Sequence, residues 1–139
     1  MGSQEGQVNR AVKPTHVLLA TVLVAASLMA LSSGESPFAC NRLALNSQER
    51  ERHFGEVSKS LRAAVTRARE LPDGFEFAFP PDSATARLLS EWVIDERLCC
   101  PFFDIDIRWE REGGPAWLRL TGRSGVKQFI KADFPRWFK

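Results

Sequence analysis

From Asn46 onward the apolar positions switch repeatedly between a helical rhythm and a strand-like one. Phe54, Val57, Leu61, Val65, Ala68 and Leu71 recur every three or four residues with Arg and Glu between them, which predicts an amphipathic helix. Asn46-Ser47-Gln48-Glu49 has capping-box spacing at its start, and Pro72-Asp73-Gly74 stops it. Phe75-Glu76-Phe77-Ala78-Phe79 alternates and reads as a strand with three Phe on one face, ended by Pro80-Pro81. Asp82 or Ser83 caps a second helix that runs to Cys99 or Cys100, before Pro101. Phe103, Ile105, Ile107 and Trp109 alternate with Asp104, Asp106, Arg108 and Glu110, a half-buried strand. Glu112-Gly113-Gly114-Pro115 is a hairpin loop into a partner strand, Ala116 to Thr121. Gly122 to Gly125 turns into a short last helix carrying Val126, Phe129 and Ile130.

The order α-β-α-β-β-α implies an α+β, two-layer sandwich over residues 35–139, in which a small antiparallel three-stranded sheet carries helices on its apolar face. The opposite face would show Asp104, Asp106, Arg108, Trp117 and Arg119. It reads as a solvated face, or as a partner-binding face anchored by Trp117.

Residues 1–34 are a separate object, predicted to hold an N-terminal hydrophobic helix. Val17 to Leu31 has no charge and no strong turn former, and Pro14 to Gly34 contains no Asp, Glu, Lys or Arg. Arg10 and Lys13 precede this run, so the positive-inside rule places the N-terminus in the cytoplasm and residues 35–139 outside it. One reading is a cleaved signal peptide, with small residues Ala30, Ser32 and Gly34 suited to cleavage. The other is an uncleaved membrane anchor through residues 14–34, a stretch just long enough to cross a hydrocarbon core of roughly 30 Å. A third reading starts translation near Glu35 and leaves the domain in the cytoplasm.

Composition narrows the classes. Lys+Arg 19 against Asp+Glu 17 gives a net charge of +2, too weak and too evenly spread to suit nucleic acid. Three cysteines cannot make a multi-disulfide scaffold. Ten Phe and four Trp supply bulk for a compact core.

Candidate chemistry sits at the end of the second helix, in Glu96-Arg97-Leu98-Cys99-Cys100-Pro101-Phe102. At about 100° per residue, Glu96 falls in the middle of the apolar face, bracketed by Cys99, Cys100 and Trp92. Arg97 and Ser90 lie on the other side. A carboxylate buried there costs several kcal/mol unless it is paired, protonated or metal-bound. One reading is packing, with Glu96 paired to a core-facing Arg such as Arg62 or Arg119. A second adds Cys40, which could fold back onto the helix end. Three thiolates, with or without Glu96, suit a soft ion such as Zn(II), Cu(I), Hg(II) or As(III). Both neighbouring cysteines reach one ion only if the helix unwinds before Pro101, and proline disfavours helix at Cys100. A third reading is redox, with Cys40 paired to Cys99 or Cys100 and one thiol left free. His53, beside Phe54, reads as a surface or boundary side chain.

Ala39-Cys40 ahead of a helix, followed by the Glu96–Phe102 string and an alternating strand, resembles a small uncharacterised bacterial domain with the pattern A-C…E-R-x-C-C-P-F. That domain is sometimes found beside or fused to MerR-type heavy-metal regulators. The resemblance covers roughly residues 38–131. It implies a heavy-metal thiol site carried by Cys40, Cys99 and Cys100, with Glu96 as the motif's acid. This chain has an export or anchor segment where a regulator has DNA-binding helices.

The leading expectation is therefore an exported or membrane-anchored binding module for a soft metal. The first alternative is a structural or protein-interaction domain whose cysteines are core residues. The second is an enzyme that pairs a Cys thiolate with Glu96 and acts on metal–carbon or thiol substrates. No feature identifies a protein partner.

Overall fold

A computed structural model describes Gly2 and residues 37–139. The expected hydrophobic helix, signal peptide or anchor, and the membrane contact through residues 14–34, lie outside the described residues. Among the described residues, no helix is long and apolar enough to cross a membrane.

After a 3-10 turn at Arg42–Ala44, the first helix (α1) comprises Ser47–Glu51, a π-helical stretch Arg52–Val57, and Ser58–Ala64. The capping box forms as its spacing predicts. Asn46 Oδ1 accepts from the Glu49 N–H, and Glu49 Oε2 accepts from the Asn46 N–H, both at 2.9 Å. Then come β1 (Arg67–Leu71), β2 (Gly74–Phe79), α2 (Ser83–Cys99), β3 (Asp104–Trp109), β4 (Ala116–Thr121) and α3 (Val126–Asp133). Asp82 caps α2 by accepting from the Thr85 N–H at 2.8 Å.

The sheet has four strands, all antiparallel, in the order β1-β2-β4-β3. This corrects the three-stranded expectation, and the error lies at the end of α1. The helix stops at Ala64, and Arg67–Leu71 pairs with β2 instead of continuing it. β-branched Val65 and Thr66 stand at the break, where helix propensity falls. Thr66 donates from both N–H (2.9 Å) and Oγ1 (3.1 Å) to the Ala78 carbonyl, which starts the ladder. Pro72-Asp73 then turns the chain so that Leu71 pairs with Gly74. Arg67, Arg69 and Glu70 charge this edge strand, a usual protection of an open sheet edge.

All three helices feed one core against one sheet face. Val57 and Leu61 come from α1, Leu89 and Trp92 from α2, and Val126 and Ile130 from α3. They pack over Phe75, Phe77, Phe79, Leu118 and Leu120. The sheet's other face differs from expectation at Trp117, which is 2% exposed. Arg69 lies 3.7 Å from the ring centroid, with Arg67 and Arg108 at 5.1 and 5.8 Å. Trp117 Nε1 donates to Glu110 at 2.9 Å. The extra strand brings Arg67 and Arg69 over the ring, so Trp117 is a covered side chain and not an open anchor.

Gly74 is where β2 must approach β4 most closely. A Cβ there would sit 2.0 Å from the Leu120 carbonyl oxygen. Gly74→Ala is expected to cost at least about 1–3 kcal/mol, the usual cost of overpacking a site that cannot relax. A shifted urea midpoint checks this, and an unchanged one would show that the strands can part.

Candidate functional site

Four residues picked out by the sequence come together at the end of α2. Glu96 and Cys99 lie on its last turns, and both are buried. Cys100 is the helix C-cap, and its N–H donates to the Glu96 carbonyl at 2.7 Å. Cys40 arrives from a strap at the start of the described segment. The Asn41 N–H donates to the Cys99 carbonyl at 2.7 Å, which ties the strap to the helix end. Phe38 holds the strap from the other side, edge-on to Phe102 at 5.2 Å and stacked on Phe129 at 6.3 Å. Gly125 leaves room for its ring, since a Cβ there would lie 2.8 Å from it and one of the two would have to shift.

The ligand atoms of Cys40, Glu96, Cys99 and Cys100 all lie within 4.8 Å of one another. Two of the sulfurs are bonded. Cys40 and Cys100 form a disulfide with a Cα–Cα distance of 4.8 Å, and Cys99 is the free thiol. Of the arrangements left open by the sequence, the structure therefore holds the pairing of Cys40 with Cys100. Three free thiolates are not present together in this state.

The partner of Glu96 is neither Arg62 nor Arg119. It is His53, whose Nε2 lies 2.9 Å from Glu96 Oε2, with the ring fully buried. This corrects the reading of His53 as a boundary residue. His53, Val57, Leu61 and Val65 are spaced by four throughout. Four residues of α-helix turn through about 400°, so such a row drifts around the helix. The π-helical stretch that begins at Arg52 widens the turn and keeps His53 over the core, while Phe54 is only half-buried. π-helical turns of this kind are frequent at functional sites. The row of fours was the available signal, and it was hidden by the better apolar match of Phe54. Asp133 was also missed, and its Oδ2 lies 3.8 Å from Cys40 Sγ.

The site is buried, polar and incompletely satisfied. Cys99 Sγ lies 3.6 Å from the Glu96 carbonyl and 3.7 Å from Glu96 Oε2, within reach of a weak S–H donation. His53 stacks on Trp92 with centroids 6.0 Å apart. His53 Nδ1 and Glu96 Oε1 have no hydrogen-bond partner, and the nearest acid to Nδ1, Asp95, is 3.7 Å away. Burial raises the Glu96 carboxyl above its ordinary range, and the His53 hydrogen bond works against that shift. Burial and the neighbouring Glu96 push the Cys99 thiol up to about 12.

A scan against protein-family models, a search of curated proteins and a search of solved structures each return no match. Burial disfavours ionisation of Glu96 in the fold, whereas in the unfolded chain it ionises at its ordinary value. Stability from this group is therefore fully present below the unfolded value and is lost as pH rises through the folded one. Wild type should lose stability relative to Glu96→Gln across that window, read from urea midpoints at successive pH values. Parallel pH profiles would contradict the assignment.

Proposed function

We propose that the protein in its reduced form binds a soft metal ion through the sulfurs of Cys40, Cys99 and Cys100. Glu96 is a fourth ligand, or the group that tunes the thiols, and His53 orients it. The observation that carries this reading is the convergence of three sulfurs and a buried carboxylate within 4.8 Å. Sulfur-rich donor sets favour Zn(II), Cu(I) and Hg(II) over hard cations. A carboxylate oxygen left without a partner beside those sulfurs supports it further. So does the resemblance to the A-C…E-R-x-C-C-P-F domain found with heavy-metal regulators.

Binding requires the disulfide to open. A dithiol gives two electrons and two protons and becomes a disulfide, or a phosphine gives two electrons and becomes its oxide while water supplies the oxygen and the two protons. Either turns the Cys40–Cys100 bond into two thiols, which lose their protons to the solvent as the metal binds. The protein acts as a binding module outside the cytoplasm, exported or membrane-anchored. The basic flank before residues 14–34 supports that placement.

The disulfide itself favours a second reading, a structural domain stapled by Cys40–Cys100 with Cys99 as core. Equilibrium dialysis of the phosphine-reduced full chain against Zn(II) separates the two. On the metal reading, Cys99→Ser abolishes retention, and His53→Gln weakens it by roughly 10–100-fold, the usual cost of removing a group that orients a ligand. Equal retention by wild type and Cys99→Ser would leave the stapled domain as the account.

A further inference from the structure

We propose that Cys40 has two disulfide partners, Cys100 and Cys99, and that the bond passes between them within the folded chain. The observation is the placement of a third sulfur against an existing disulfide. Cys99 Sγ lies within 4.8 Å of both bonded sulfurs. The strap is tethered to Cys99 as well as to Cys100, because the Asn41 N–H donates to the Cys99 carbonyl. Phe38 fixes its other end against Phe102 and Phe129. Cys40 is thus held beside two consecutive cysteines, at a helix end where the backbone at Cys100 has already left the helical conformation (φ −124°, ψ 66°). For the second bond to form, Cys99 Sγ closes from no more than 4.8 Å to the roughly 2.05 Å of a disulfide.

The exchange balances inside the molecule. Cys99, as thiolate, attacks Cys40 Sγ. The Cys40–Cys100 bond breaks, and its electron pair leaves on the Cys100 sulfur, which takes up a proton in place of the one Cys99 gave up. One S–S bond replaces another, and one S–H replaces another. No external oxidant or reductant enters. The centre therefore presents one free thiol whose identity alternates, at Cys99 in one isomer and at Cys100 in the other. This inference is independent of metal binding, since both isomers are oxidised and keep a single thiol.

Cys99 is buried, and the limited access of its thiol keeps the exchange slow. Uncatalysed disulfide rearrangement takes minutes to hours, which makes it observable by trapping. The oxidised full chain is held overnight at neutral pH and quenched in acidic denaturant containing N-ethylmaleimide. Digestion and fragmentation between residues 99 and 100 then locate the label. The expected result is label divided between Cys99 and Cys100. Label confined to Cys99 overturns the proposal.

A variant gives a second reading. Cys100→Ser, oxidised with glutathione disulfide, is expected to lose both free thiols to a Cys40–Cys99 bond. A folded Cys100→Ser chain without that bond also overturns the proposal, and near-UV circular dichroism establishes that it is folded. The wild-type label decides the matter if this variant does not fold.

Discussion

Replacing Cys40 by Ser should lower the unfolding free energy of the oxidised protein by about 4 kcal/mol, as expected from chain entropy for a bond of this span. The two cysteines are 60 residues apart, so the bond closes a loop that contains α1, the β1–β2 hairpin and all of α2. Opening so long a loop in the unfolded chain releases a large conformational entropy. Domains of this size are stable by roughly 5–15 kcal/mol, so the loss would consume a large part of the total. Urea unfolding with and without a phosphine reductant isolates the covalent contribution. In reductant, wild type and Cys40→Ser should unfold at nearly the same midpoint. A large difference that persists in reductant would mean that Cys40 acts through packing and not through its bond.

His53→Ala is the second large effect, expected at about 3–5 kcal/mol. The substitution removes the partner 2.9 Å from Glu96 Oε2 and leaves a buried carboxyl whose other oxygen already lacks a partner. It also opens a cavity beside Trp92 and Phe54, the two rings in contact with the imidazole. Glu96→Gln keeps the volume and a group able to hydrogen-bond to His53, so it should cost far less. Denaturant midpoints of the two single variants and the double variant give the coupling directly. A loss below about 1 kcal/mol for His53→Ala would show that the site relaxes around the vacancy, at the low end of core substitutions.

The elements were legible where one period dominated. β2, β3 and β4 alternate cleanly, and α2 carries both its cap at Asp82 and its stop before Pro101. The error at Arg67–Leu71 has a simple physical source. Ala68 and Leu71 are three residues apart, which suits a helix, and their strand partners, Phe77 and Gly74, lie in β2 further along the chain. Pairing with β2 is a tertiary gain that local spacing does not contain. The burial of Glu96 among cysteines was legible because a charged residue stood in the middle of an apolar face. Its partner was not, because His53 reaches the core through a π-helical stretch, and helical angles laid out at a constant 100° cannot represent one. The choice of Cys100 over Cys99 as partner of Cys40 was also beyond the spacing. It depends on where α2 ends, with Cys99 its last residue and Cys100 its C-cap.

Native mass spectrometry of the phosphine-reduced full chain, titrated with Hg(II) and then with Zn(II), tests the metal site most directly. Alkylation of each complex then counts the protected thiols. The expected result is one ion per chain with Cys40, Cys99 and Cys100 protected together, and no bound ion in the oxidised protein. Alkylation of all three thiols at the same rate with and without metal, and no ion retained, would contradict the site.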